Sequence, residues 1–375
     1  MDASGSSSPA RKRGRDDDGD AVVEPSVTRS QDFYFNDGTI VLRALSKQDN
    51  VYTLFRVHKS LLALRCSVFH DMFGDGDALH FDGASEQYDG VPLMHLHDEP
   101  EDVLDFLKAL YDPEFMHRHI NSEKFGHYMR DFPRTYAGAM RLAKKYGSQK
   151  LLNMFADILR QAWPSQWKTS VTLDQSRAAM VKLMDETVPE EDNEGKVQPN
   201  PAWTIRMAID LDIPEVLPSA FATLSAFSGA GIHKATSSGK SVMLPDIVDG
   251  LRALSADELL SLVTGGCALA SYVFEYTSEI SAPPLDTFSI PDSNSHLCYT
   301  TLLDAWAKLK ATLENAWGSS HPFDALRDAL AGLDLCDVCR AEAQAYIDEI
   351  ELGLWRKLPD IFDLHRFGVS ESWGW

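Results

Sequence analysis

Residues 54–75 read LFRVHKSLLALRCSVFHDMFGD, and their periodicity changes midway. Val51, Thr53, Phe55 and Val57 fall on one side of a strand by the two-residue repeat. After His58-Lys59 the repeat lengthens. Leu61, Leu64 and Val68 recur at helical spacing, as do Leu62, Phe69 and Phe73. Arg65-Cys66-Ser67 divides this run into two short helices, with Ser67 the expected N-cap of the second. His58, Lys59, Cys66 and Ser67 are also residue types that enzymes use, so a strand-to-helix catalytic turn is one reading. The surroundings favour a scaffold. Cys66 lies inside an apolar helical pair, where a thiol packs rather than reacts, and His58 is expected to cap or bond the nearby backbone. Lys59 remains as a contact residue. Phe55, Val57, Leu62, Phe69 and Phe73 form the predicted core of the segment.

Working outward, Thr39 to Leu42 is β-branched enough for a strand. The polar run Ser46–Asn50 then turns the chain into the Val51–Val57 strand as a hairpin. Residues 74–90 are predicted to be a flexible acidic loop, and Val91 to Leu96 a third strand. Asp98, Pro100 and the acids Glu101 and Asp102 start a helix whose apolar face is Val103, Phe106, Leu107, Leu110 and Tyr111. Helices follow at Tyr136–Tyr146 and from Ser148. Beyond Trp163-Pro164 the text is mostly helical, with candidates at 174–187, 201–211, 215–227, 256–280, 297–316, 322–333 and 337–357. Glu190–Pro201 and Phe227–Pro245 are the predicted loops. The division that results is a disordered tail over 1–30, an α+β domain over 31–164 and an all-α region over 165–375.

The chain of 375 residues is 44% hydrophobic and 24% charged, with a formal net charge of −21. Ordinary globular composition permits a sizeable core. The acidic balance opposes direct binding to nucleic acid and to anionic membranes. Five cysteines, sparse and odd in number, do not make a secreted disulfide framework. No segment reads as a signal peptide or a membrane span, so an intracellular chain is expected. Arg11–Arg15 is a short basic cluster that leaves both nuclear and cytoplasmic placement open.

The candidate chemistry is fragmentary. Thr236–Ser241 ends like a phosphate-binding loop but carries Lys234 where that loop needs a glycine. Cys336-Asp337-Val338-Cys339 has the spacing of half a zinc site or of a redox dithiol, with Cys298 or Cys267 as distant partners. Its bland alternative is a pair of small packed residues at a helix start. His95 and His97, His117 and His119, and the acidic stretch Asp71–Asp82 lack the partners a metal ion requires. No complete catalytic constellation emerges. The expectation is a non-enzyme with no cofactor and no assigned metal residue.

The segment Phe55–Ala63, followed by Ser67-Val68-Phe69 and Met72-Phe73, resembles the signature of BTB/POZ domains. Asp37–Leu42, Leu110–Pro113, Leu142–Tyr146, Ala162–Pro164, Ile213–Phe221, the Cys336/Cys339 pair and Trp355–Phe362 are similar to the expanded fungal branch of these proteins. The resemblance implies an α+β domain of short helices against a small mixed sheet, followed by an all-α region. It marks Asp37, Phe55, His58, Lys59, Leu62, Ser67, Phe69, Met72 and Phe73 as signature positions. It further implies association with protein partners, as a homodimer. A cullin-type ubiquitin ligase is the alternative partner, although Asp112-Pro113 and the insertion 114–133 depart from the adaptor pattern. A metal-binding or redox protein built on Cys336/Cys339 is the second alternative.

Overall fold

The computed structural model describes residues 25–74, 86–112, 131–176, 199–226, 244–279, 298, 300–305 and 322–374. These fall into two compact units, one built of strands and one of helices. The tail before residue 25, the loop 75–85, Thr236–Ser241 and the pair His117/His119 lie outside the described residues.

The strand unit is a five-stranded mixed sheet in the order β1-β3-β2-β5-β4. Its hairpin joins β2 (Ile40–Ser46) to β3 (Val51–Val57), antiparallel from Ile40↔Val57 to Ser46↔Val51. Ser46 and Asp49 close the turn, the Asp49 amide donating to Ser46 Oγ at 3.3 Å. β5 (Val91–Leu96) runs parallel to β2. The predicted acidic loop ends in structure: β4 (Gln87–Tyr88) pairs with β5 through Asp89-Gly90. Both turn residues have positive φ, 49° and 74°, as a two-residue hairpin turn of this hand requires.

The N-terminal boundary needs correction. The expected tail runs to residue 30, yet β1 (Ser26–Tyr34) already pairs in parallel with β3, with a register shift between Arg29 and Tyr34. Most of its side chains are exposed, so backbone hydrogen bonds rather than an apolar face define it. Val41, Leu54 and Leu93 form one core cluster, flanked by Tyr34, Tyr88 and Val91.

The helical unit starts with α1 (Lys59–Arg65) and α2 (Ser67–Phe73) and continues with α3 (Pro100–Tyr111), α4 (Ala137–Lys145) and α5 (Gln149–Ala162). Then come α6 (Pro201–Leu211), α7 (Leu217–Ala226), α8 (Leu244–Ala253), α9 (Ala256–Glu279), α10 (Pro322–Ala331) and α11 (Asp337–Ile361). Helices on both sides of Pro164 belong to this unit.

Local chemistry explains the helix boundaries. Asn200 Oδ1 accepts the amides of Ala202 and Trp203 at 3.0 and 3.3 Å, and Pro201 opens α6. Ser255 and Glu258 form a reciprocal capping box at the start of α9: the Glu258 amide donates to Ser255 Oγ at 3.3 Å and the Ser255 amide to Glu258 Oε2 at 2.9 Å. α11 runs past Pro359, beyond its predicted end at 357. The proline removes one intrahelical donor, its own amide, two residues before the helix ends. Among the described residues, no helix is long and apolar enough to cross a membrane.

The C-terminal segment is pinned to the helical unit. Trp355 and Trp373 stack with centroids 5.0 Å apart. Their indole N–H groups donate to the carbonyls of Ser165 and Glu215 at 2.8 and 2.7 Å. His365 closes the last turn, with Nδ1 2.9 Å from the Val369 carbonyl and Nε2 2.9 Å from Asp360 Oδ1. Both partners are acceptors, so only the imidazolium donates to both. The Val369 carbonyl first, and then Asp360, raise the pKa of His365. A raised folded value means this stabilisation is fully present below the ordinary histidine value of about 6.5 and is lost as pH rises through the folded value. His365→Gln should therefore lower the melting temperature more at about pH 6 than at about pH 8.5. Equal losses at the two pH values would refute the assignment.

Candidate functional site

The described segment His58–Phe73 separates its two apolar stripes. Leu62, Phe69 and Phe73 point inward and are buried. Phe69 stacks on Tyr146 at 4.6 Å, and Phe106 approaches the same ring at 5.8 Å. The other stripe faces solvent: Leu64 is 77% exposed, Val68 37% and Met72 47%. Of the stripe expected at Leu61, Leu64 and Val68, Leu61 is half-buried and the other two are exposed, and Met72, outside the expected repeat, joins the solvent face.

The polar signature residues have structural partners. The His58 amide donates to the Tyr111 hydroxyl at 3.0 Å, and His58 Nδ1 lies 2.9 Å from the same oxygen. His58 thus joins the start of α1 to the end of α3. This corrects the expected backbone cap, because its side chain caps no amide of α1. The N-cap of α2 is likewise Cys66, not Ser67. Ser67 opens the helix and gives its amide to the Gly147 carbonyl at 3.2 Å, while Val68 gives its own to Tyr146. The turn after α4 thereby satisfies two amides that α2 leaves unpaired. Gly147 has φ of 68°, and a Cβ there would fall 2.0 Å from Ser67 Oγ.

Cys66 is buried, and burial pushes its thiol pKa up to about 11. That is a packed thiol rather than a nucleophile. Lys59 is half-buried, its ammonium 5.9 Å over the Phe73 ring, and burial lowers its pKa. In the strand unit, Phe55 is core and Asp37 lies in the partly exposed turn before β2. His95 faces Glu86 at 2.8 Å, beside Arg43, rather than joining His97 in a metal pair. Glu86 has its pKa lowered chiefly by that histidine.

A second constellation lies in the helical unit. The sulfurs of Cys298, Cys336 and Cys339 all lie within 4.8 Å of one another. Cys336 is the N-cap of α11, with Sγ accepting the Cys339 amide at 3.5 Å. Its own amide donates to Cys298 Sγ at 3.4 Å. Cys336 is exposed, and the amide of Cys339 holds its pKa below the usual thiol value. Burial pushes the Cys339 thiol up to about 12.

No family model, curated protein or solved structure matches the chain. Its chemistry has to be read from its own residues.

The loop that presents the thiols is tightly held. The Arg340 guanidinium donates to the carbonyls of Ala331, Leu333 and Leu335 at 2.9, 3.1 and 3.2 Å, with a longer contact of 3.5 Å to Leu330. The Ala331 carbonyl is one that α10 leaves open at its end, and Leu333 and Leu335 lie in the loop that leads to α11. Arg327 ties α10 to α11 through Asp348 at 3.1 Å and through Glu351. Sequence reasoning found the Cys336/Cys339 spacing but could not select Cys298 over Cys267. Cys267 is exposed on α9 and is not one of the clustered thiols.

Proposed function

We propose that this chain is a non-enzymatic association protein of the BTB/POZ type. A second copy docks on its α1–α2 face. The observation that carries the reading is the exposed stripe Leu64, Val68 and Met72 on two short helices whose opposite stripe is buried. The order of elements supports it: a hairpin, a helical pair, a strand parallel to the first hairpin strand, then a longer helix. So does the signature running from Phe55 to Phe73.

Solvent-exposed apolar side chains of this size, held on rigid helices, suit the centre of an interface rather than its rim. In a two-fold dimer the same patch faces itself. A charge placed at Leu64 then meets its own copy or a desolvated apolar surface, and either costs several kcal/mol. Sedimentation equilibrium should show a dimer for the intact chain and a folded monomer for Leu64→Asp combined with Met72→Asp. The altered side chains are exposed, so helix content by circular dichroism should not change. A wild-type monomer at micromolar concentration, or an unchanged dimer in the double variant, would overturn the proposal.

A further inference from the structure

We propose that Cys298, Cys336 and Cys339 bind one zinc ion as three thiolates, leaving the fourth position to a water molecule on the open side at Cys336. The three sulfurs already lie within 4.8 Å of one another. A tetrahedral site with Zn–S of about 2.3 Å places its sulfurs about 3.8 Å apart. Closing the triangle therefore takes side-chain adjustments of about an ångström or less.

The third thiol separates this reading from a dithiol switch. A disulfide needs two sulfurs, and Cys336 with Cys339 would suffice. Cys298 comes from a segment 38 residues away and is buried with its sulfur against the Cys336 amide. Two of the three sulfurs accept a backbone amide, Cys298 from Cys336 and Cys336 from Cys339. Such outer hydrogen bonds orient thiolate ligands and offset their charge. Arg340 and Arg327 hold the loop and the helix that carry two of the ligands, as a preformed site requires. Thiolates select soft and borderline cations such as zinc over magnesium or calcium.

The balance is simple. Three thiols and one hydrated zinc ion give a zinc tris-thiolate with one retained water, and three protons leave to the buffer. Nothing is oxidised or reduced. The ion would clasp the Cys298 segment to the junction of α10 and α11, while its water-bearing fourth position stays open.

The test uses the intact, reduced chain with cobalt(II) and zinc as probes. Titration with cobalt should give one metal per chain and a thiolate-to-cobalt charge-transfer band. Zinc should displace cobalt and raise the melting temperature, and a chelator should reverse the rise. Cys298→Ser should weaken metal binding at least tenfold and lower the charge-transfer intensity by about a third, while Cys267→Ser should change neither. X-ray absorption of the zinc-loaded wild-type chain should count three sulfurs and one oxygen, a readout independent of whether the serine variant folds. Two or four sulfurs, unchanged binding in a folded Cys298→Ser variant, or a reduced chain that takes up no metal would each overturn the proposal.

Discussion

Arg206→Ala is expected to cost the helical unit roughly 3 kcal/mol of stability, the lower end of the range for breaking a buried ion pair. The reason is Glu258, which is only 2% exposed. Its carboxylate takes the Arg206 guanidinium at 2.7 Å on one oxygen and the Ser255 amide at 2.9 Å on the other. Removing the arginine leaves a buried carboxylate with only the amide. Arg206 is itself partly exposed and is shared with Asp210, whose hydrogen bond is the main reason its pKa is raised. That sharing is why the expected loss sits low in the range. A second substitution isolates the cause. Glu258→Gln keeps the reciprocal cap at the start of α9, because glutamine serves there as well as glutamate, and removes the charge. The double variant Arg206→Ala/Glu258→Gln should be more stable than Arg206→Ala alone. Urea unfolding midpoints decide it. A single variant within about 0.5 kcal/mol of wild type, the scatter of ordinary surface substitutions, would remove the claim that this pair is buried in an energetic sense.

The capping box Ser255-Ala256-Asp257-Glu258 illustrates what sequence does and does not disclose. Its spacing is a helix-start signal, and the helix expected over 256–280 spans Ala256–Glu279. That the glutamate would also be buried against an arginine 52 residues earlier is a tertiary fact with no local signature. The hairpin and the two short helices were legible because their apolar repeat changes from two to about three and a half residues within one stretch. β1 was not, because Ser26–Tyr34 keeps most of its side chains in solvent and so carries no alternation to read. α8 was missed for another reason. Pro245 has the signature of a loop residue, but it is the second residue of Leu244–Ala253, where a proline lacks no hydrogen bond that the helix could use. The Cys336/Cys339 half of the thiol cluster was visible from its spacing. The Cys298 half was not, because proximity across 38 residues is a tertiary fact with no short pattern.

The contact between Phe362 and Gly265 gives the second large effect, and its sign should depend on the background. Phe362 is fully buried at the end of α11, with its ring 5.7 Å from that of Phe221. Its ring also lies against the backbone of α9, where a Cβ at position 265 would fall 2.1 Å from Phe362 Cδ1. Phe362→Ala should cost about 3–5 kcal/mol, as truncating a buried phenylalanine does. Gly265→Ala alone should cost about 1–3 kcal/mol from overpacking. That loss is partly offset by the roughly 1 kcal/mol that alanine gains over glycine inside a helix. In the Phe362→Ala background the obstacle is gone. The methyl then enters vacated space and the helix preference is expressed in full, so Gly265→Ala should become stabilising. The coupling between the two sites is expected at roughly 1–3 kcal/mol, measured as a double-mutant cycle from four unfolding curves. Additive losses would mean that α9 and the end of α11 do not meet through this glycine.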